Sequence, residues 1–462
     1  MNRTAQHPAR VSSPRDFYRA MLAIALPVMA QNLITSLVNL IDTIMIGNLG
    51  EAEIAAVGIA NQYFFLYHMF LVGLSAGCSV FIAQFWGQKD TASIRRVLGL
   101  GLLSAALVAA LMIAVGFLFP GQVMALFSSD PQVIEMGIAY LRVVLGSYLF
   151  AGITLVYSFA SRSIGQAVLP MLVGLVALVT NALLNYAFIF GHWGAPALGV
   201  TGAALATLVA RIVETLLLIG LLYRSRGVLA ASLRELLDFD FSFVVKAYRT
   251  IVPVLFNDIF WGLAALIYVL VYARMGTQAM AAYQICNTIN YLFLVAVFGL
   301  SSAAAVIIGN NVGAGQEELA NQYARKFILL TVEISVVLGL LLAAASPLIL
   351  NFYNISETVR HDAQLILLTV ALAFFVRALS IVLIVGVMRG GGDVHYAFVL
   401  ETLTMWLVGV PLTLAGAFLF RWPVYLVYAM SLVEELVKSF FGLARLRSGH
   451  WMRNVTSTLS SR

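Results

Sequence analysis

Charge is what this chain has least of. Asp, Glu, Lys and Arg together supply 10% of its 462 residues, while hydrophobic residues supply 61%; an ordinary soluble domain carries roughly 25% charged residues. Too little polar surface remains to face water, so the composition excludes a soluble globular protein and calls for a bilayer. Cysteine is nearly absent too. Cys78 and Cys286 both lie inside apolar runs, which implies no disulfide framework and reads as two small packing residues. No GxxxxGK(S/T) phosphate loop, HExxH pair or GxSxG elbow occurs, and no polar stretch is long enough to house a nucleotide domain. ATP-driven transport, metalloprotease chemistry and serine hydrolysis are thereby disfavoured, and the chain is not expected to be an enzyme. A cleaved leader is not expected either, because the first apolar run outlasts the roughly 7–15 residues of a signal-peptide core.

What is present is a series of apolar stretches. Twelve are bounded by turn or charge signals, at about 19–47, 54–84, 96–119, 134–160, 168–190, 199–223, 246–273, 279–309, 325–350, 361–388, 396–419 and 423–445, each near or above the roughly 20 residues that cross a hydrocarbon core. The few cations sort between alternate connections. One side takes Arg3, Arg10, Arg15 and Arg19, then Lys89, Arg95 and Arg96, Arg162, and Arg224, Arg226, Arg234, Lys246 and Arg249. The same side continues with Arg325 and Lys326, Arg389, and Arg445, Arg447, Arg453 and Arg462. The other side has little beyond Arg274, Arg360 and Arg421. The net charge of +6 is thus a membrane-topology signal and not a nucleic-acid footprint, and the positive-inside rule places both termini in the cytoplasm.

Shifting the sequence by 226 residues superposes Pro27 on Pro253, Gly50 on Gly276, Asn61 on Asn287, Gly73-Leu-Ser75 on Gly299-Leu-Ser301, and Gly87 on Gly313. The chain is a duplication with six spans per half; an even number makes the repeat parallel, with a central cavity expected between two lobes. The expected organisation is an N-terminal cytoplasmic segment 1–18, an N-lobe 19–224, a cytoplasmic interfacial linker 225–245, a C-lobe 246–446 and a cytoplasmic tail 447–462. The recurring small residues Gly73-Leu-Ser-Ala-Gly77 and Gly309-Asn-Asn-Val-Gly313 are assigned to internal helix packing. The triple glycine Gly390–Gly392 follows a span and reads as a flexible connection.

Function is sought where polar groups enter these spans. A carboxylate at bilayer depth costs about 3 kcal/mol on insertion scales, so it is retained mainly where it lines a cavity or binds an ion. Asp42 is such a group, and Gln31, Thr35, Asn39 and Asp42 share one helical stripe. At about 1.5 Å per residue, Asp42 lies about 8 Å, Asn185 about 9 Å and Thr207 about 12 Å inside the outer ends of their spans, with Asn181 sharing the face of Asn185. Oxygen groups at one level suit Na⁺ or a proton on a desolvated carboxyl; beyond Na⁺ at Asp42 no metal is expected. Further polar positions facing a cavity or substrate are Asn61, Asn257, Gln284 and Asn287. In the second half, Asp258 and Arg377 fall at similar depth and have the geometry for an ion pair, with coupling, gating and structural roles all open. Arg211 and Glu214 are spaced to pair; Glu333, Glu401, Glu434, Glu435 and Lys438 read as snorkelling or locally paired. His68 has no partner at metal-ligand spacing and reads as a packed residue.

Several of these stretches resemble the multidrug and toxic compound extrusion (MATE) transporters, within a superfamily that also contains lipid-linked oligosaccharide flippases. The resemblance covers about residues 18–450 and rests on Leu40-Ile-Asp-Thr-Ile-Met-Ile-Gly-Asn-Leu-Gly50, Gln84-Phe-Trp-Gly-Gln-Lys-Asp90 and Arg162-Ser-Ile-Gly165. It also rests on Asn181-Ala-Leu-Leu-Asn-Tyr-Ala-Phe-Ile-Phe-Gly191, Gly199-Val-Thr-Gly-Ala-Ala-Leu-Ala-Thr207 and Met388-Arg-Gly-Gly-Gly-Asp393. It implies an all-α polytopic membrane protein of twelve helices in two six-helix lobes. By the same resemblance the protein is an H⁺- or Na⁺-coupled antiporter of small amphipathic, often cationic compounds, with no cofactor, ATP or nucleic-acid partner, acting as a monomer in the plasma membrane, the inner membrane of a bacterium. Asp42 would be the coupling carboxylate, Asn181, Asn185 and Thr207 its polar cluster, and Pro27 the point where the first helix bends. Relatives often have Asp where Asn185 stands, and a branch with acidic residues in the seventh and tenth spans matches Asp258 but meets Arg377 in the tenth. The alternatives are a flippase for a lipid-linked substrate and a channel or non-transporting sensor.

Overall fold

An apolar run in hydrocarbon must satisfy its own backbone, and the helix does so segment by segment. The computed structural model describes residues 14–353 and 355–460; Arg3, Arg10, Arg462 and the first thirteen residues of the N-terminal segment lie outside the described residues. The long helices are α1 (Pro14–Gly47), α2 (Glu51–Gln88), α3 (Thr91–Leu118), α4 (Pro131–Ser163), α5 (Val168–Phe190) and α6 (Gly199–Arg224). They continue with α7 (Phe241–Met275), α8 (Thr277–Gly313), α9 (Glu317–Leu350), α10 (Glu357–Gly391), α11 (Val394–Leu419) and α12 (Val424–Arg447). The first eleven are long and apolar enough to cross a membrane. Helix α12 departs from that apolar standard because Glu434, Glu435 and Lys438 interrupt it. The fold is the all-α, twelve-helix polytopic architecture expected, with no strand among the described residues.

Helix ends follow local chemistry. Asp90 caps α3 by accepting from Ser93 N at 3.0 Å, and Asp130, followed by Pro131, caps α4 by accepting from Gln132 N at 2.9 Å; both satisfy amides that the first turn leaves free. Pro27 and Pro253 sit inside α1 and α7, and both helices run through them, each proline removing one ladder bond. Helix α11 widens into π-helical turns at Met405–Gly409 and Ala415–Leu419; Pro411 lies just past the first and has no N–H to continue the ordinary ladder.

The described chain forms two compact units. The first comprises Ala30–Ile82 and Asp90–Ile251. Within it α5 and α6 form the most extensive pair, α3 packs on the second half of α4, and a one-turn helix at Leu233–Leu236 lies on α3. The second takes α1 as far as Met29, the end of α2 at Ala83–Lys89, and everything from Val252 onward. Here α10 is the centre, packed against α8, α9 and α12.

Small residues do serve close packing. A side chain at Gly313 or Gly309 would strike Gln84 or Ala83, and one at Gly87 would strike Asn310, so the end of α2 is seated on α8 backbone to backbone. The triple glycine is not flexible, contrary to the sequence expectation. Gly390, Gly391 and Gly392 are all buried. Gly390 abuts Ala305, Gly391 abuts Trp451, and Gly392 adopts φ 88° in a turn closed by Asp393 N donating to Met388 O at 2.9 Å. The glycines are there because nothing larger fits and one backbone is left-handed.

Candidate functional site

The first unit places its polar groups by locking α5 against α6. Helix α5 ends on Gly191 at φ 76°, Leu198 N returns to donate to Phe188 O at 2.8 Å, and Gly202 meets the Phe188 carbonyl where no Cβ would fit. This tight hairpin brings Asn181 and Asn185, one turn apart on α5, beside Thr207 on α6. Asn181 Nδ2 donates to Thr207 Oγ1 at 3.4 Å, Asn185 Nδ2 donates to Asn181 Oδ1 at 3.2 Å, and the same nitrogen donates to Asp42 Oδ1 on α1. Asp42, Asn185, Asn181 and Thr207 therefore form one hydrogen-bonded chain. Asn185 Oδ1 is buried there with no partner.

Further polar groups lie near this chain. Tyr140 on α4 reaches Thr207 with its hydroxyl. Arg211 on α6 donates from Nη1 to Glu214 Oε2 at 2.7 Å and lies within Coulombic range of both Asp42 and His68. The pairing of Arg211 with Glu214 follows their spacing; the approach of that pair to Asp42, and the part played by Tyr140, were not legible. One tyrosine among 18 has no mark in the sequence that says where its hydroxyl finds a partner.

The stripe on α1 does not act as a unit. Gln31 Oε1 accepts from Arg162 Nη2 at 2.8 Å, Thr35 Oγ1 donates back to Gln31 O at 3.0 Å, and Asn39 is exposed; only Asp42 joins the cluster. Among the other polar positions singled out as facing a cavity, Asn61, Gln284 and Asn287 are exposed. Asn257 is 2% exposed and donates from Nδ2 to Glu401 Oε2 at 2.6 Å. It is thus a buried tether and not a cavity-facing group.

The second unit corrects the expected ion pair. Asp258 does not meet Arg377; it accepts from Arg389 Nη2 at 2.6 Å. Counting rises matched Asp258 with Arg377 and left Arg389, twelve residues or about 18 Å further along α10, at the cytoplasmic end; the axial placement of α7 against α10 brings Arg389 to Asp258 instead. Arg377 instead faces Tyr428, Glu435 and Glu434. The acidic residues of α12 do not snorkel: Lys438 pairs with Glu434 at 3.2 Å and Glu435 at 3.7 Å, Tyr268 donates to Glu434 Oε2 at 3.1 Å, and Ser380 contacts Glu435. Gly409, in the first π-helical turn, leaves the room that Glu434 and Tyr268 occupy. Among the described residues no group of three or more His, Cys, Asp or Glu is placed to hold a metal ion.

Two homologous six-helix repeats and an intramembrane carboxylate held by the Asn185 amide define a polytopic membrane protein with a polar site inside its first unit. The MatE sequence profile matches residues 27–187 and again 253–414, and the chain belongs to the MatE family, a family of transporters. The two matches start at Pro27 and Pro253, the register of the internal repeat. Similar curated proteins include the probable multidrug resistance protein YoeA of Bacillus subtilis, 25% identical over 88% of this chain and 89% of its own length. The probable multidrug resistance protein NorM of Thermotoga maritima is 22% identical over 96% of this chain and 95% of its own. Among solved structures, the outward-facing conformation of a multidrug resistance MATE family transporter aligns with TM-score 0.85 at 20% identity, covering 97% of this chain and all of that one (100%). A MOP superfamily transporter from Pyrococcus furiosus, described as having reversed binding-pocket polarity, aligns with TM-score 0.85 at 19% identity over 97% of this chain and 100% of its own. At these identities the structural likeness shows the fold.

Proposed function

We propose that this transporter is an antiporter that exports small amphipathic, often cationic compounds by alternating access, driven by inward movement of H⁺ or Na⁺. The observation that carries the reading is the electrostatic state of Asp42. Glu214, Asp258, Glu434 and Asp393 each have a cation in contact, whereas Asp42 is held by an amide and, among the described residues, makes no ion pair. Arg211, the cation within Coulombic range of Asp42, is itself paired with Glu214, and a carboxylate kept at bilayer depth with no cation in contact is suited to a mobile one. The donor set fits either ion. The Asp42 carboxylate, the Asn181 and Asn185 amide oxygens and the Thr207 hydroxyl are hard ligands for Na⁺, the unpartnered Asn185 Oδ1 supplies a vacant acceptor, and a proton on Asp42 needs no more than the carboxyl itself.

In this reading, ion binding at Asp42 alters α1, whose ladder Pro27 has already weakened, and expels substrate outward. The protein acts as a monomer in a bacterial inner membrane with both termini cytoplasmic. The multidrug resistance names of the YoeA and NorM relatives support the substrate class. A flippase for a lipid-linked anionic substrate would need a continuous set of cations facing its cavity, but Arg211, Arg389 and Lys438 are each neutralised by a carboxylate and Arg162 is bonded to Gln31.

Efflux of a fluorescent organic cation from proteoliposomes, under separate pH and Na⁺ gradients, tests the proposal. One gradient is expected to drive efflux in the wild type and to lose that effect in Asp42→Asn. Gradient-independent efflux, or full coupling in Asp42→Asn, would overturn it.

A further inference from the structure

The linker between α6 and α7 has two faces of opposite chemistry. Its one-turn helix starts with a capping box, in which Glu235 Oε2 accepts from Ser232 N at 2.7 Å while Ser232 Oγ accepts from Glu235 N at 3.4 Å. The inner face is fastened to α3: Leu236 is buried, its backbone lies against Gly99 where a side chain has no room, Arg95 pairs with Glu235, and Arg96 pairs with Asp238 at 2.5 Å. Asp240 is used as well, accepting from Phe243 N at 2.9 Å. Every carboxylate of the linker is thus committed within the protein.

The outer face is apolar and basic. Leu233 and Leu237, at the start and just past the end of the one-turn helix, and Phe241, the first residue of α7, are 78%, 57% and 83% exposed. Arg224, Arg226 and Arg234 are exposed beside them, and among the described residues their guanidinium groups make no hydrogen bond or ion pair. Exposed leucines and phenylalanine alone would accept any acyl boundary. Three free guanidinium groups add selectivity for a negative layer, since each presents a planar fork that matches phosphate oxygens.

We propose that this face is a docking surface for anionic phospholipid. Leu233, Leu237 and Phe241 enter the acyl boundary while Arg224, Arg226 and Arg234 bind headgroup phosphates, which is the combination that makes interfacial binding depend on lipid charge. Because the linker is attached to α3 through the buried Leu236 and two ion pairs, lipid held on the outer face stabilises the first unit.

The test uses the full chain in nanodiscs of phosphatidylcholine, with or without phosphatidylglycerol, and reads the thermal unfolding midpoint and the retained lipid by native mass spectrometry. Phosphatidylglycerol is expected to raise the midpoint of the wild type, and high salt to remove that rise. The triple variant Arg224→Gln, Arg226→Asn, Arg234→Gln is expected to lose the rise and the retained anionic lipid while unfolding normally in phosphatidylcholine; asparagine is chosen because residue 226 has φ 50°, which it tolerates. Leu233→Ser with Phe241→Ser is expected to lower the midpoint in both lipids. A wild-type midpoint indifferent to phosphatidylglycerol, as a surface for an acidic protein partner would give, overturns the proposal. So does a triple variant that responds like the wild type. Should the triple variant fail to fold, the wild-type salt dependence decides. None of these readouts requires transport, so they stand or fall apart from the antiporter reading.

Discussion

Asp42 and Asp258 are both carboxylates at bilayer depth, and their surroundings separate them. Asp42 is bound by a neutral amide, so its charge remains available to an ion; Asp258 is bound by a guanidinium that is itself buried. Removing one partner of a buried pair leaves the other uncompensated, at a cost of about 3–5 kcal/mol, whereas replacing both by apolar groups of similar volume is often neutral. Asp258→Asn is therefore expected to lower the unfolding midpoint strongly, and Asp258→Asn combined with Arg389→Met to recover most of it. Normal stability in the single variant with altered gradient preference would instead mark Asp258 as a coupling group. The chain of Asp42, Asn185, Asn181 and Thr207 was legible from a four-residue spacing and from counting rises to a common depth. The choice of Arg389 over Arg377 was not, because it depends on how far α10 is displaced along α7, which counting rises from separate span ends does not fix.

Two elements show how segments outside the spans are held. The last part of the chain folds back on the second unit. Gln84 Nε2 donates to Arg453 O at 3.0 Å, Gln84 Oε1 accepts from Val455 N at 2.9 Å, Arg453 N donates to Gly391 O at 2.7 Å, and Asp393 pairs with Arg445 at 2.8 Å and Arg453 at 3.2 Å. Trp451 is 0% exposed against Gly391. The stretches Gln84–Asp90 and Met388–Asp393, read from sequence as family marks, thus form the seat of the tail. Truncating a fully buried tryptophan costs about 3–5 kcal/mol, so Trp451→Ala is expected to expose residues 448–459 to rapid hydrogen exchange while the spans stay protected. The linker gives a pH prediction. Hydrogen bonds from Ser232, followed by the charge of Arg95, hold Glu235 below the ordinary glutamate range. A depressed carboxyl stabilises the fold above its unfolded value and ceases to do so as pH falls through its folded value. Amide protection at Ser232, Glu235, Leu236 and Leu237, whose N–H groups are bonded, is accordingly expected to be highest at neutral pH and to fall in acid below the usual glutamate range; Glu235→Gln should flatten that profile.

At the scale of the molecule, the proposed placement of both termini in the cytoplasm rests on an even number of spans and on the sorted arginines. Reporters fused separately to the two termini are expected to report cytoplasmic placement in both cases; opposite placements would remove one span from the count, with α12 the first suspect because it carries three charges. Composition alone determined the bilayer setting, since a chain 10% charged has too little polar surface for water. Hydrophobic run length determined the spans, and self-similarity at 226 residues determined the duplication. Tertiary structure decided what those patterns leave free. It chose which cation faces Asp258, buried Asn257 against Glu401, turned the triple glycine into a packed turn and seated the tail on Gln84. Run length and repeat register act along the chain, where the sequence is explicit; side-chain partners depend on the rotation and approach of helices far apart in the chain, which only packing settles.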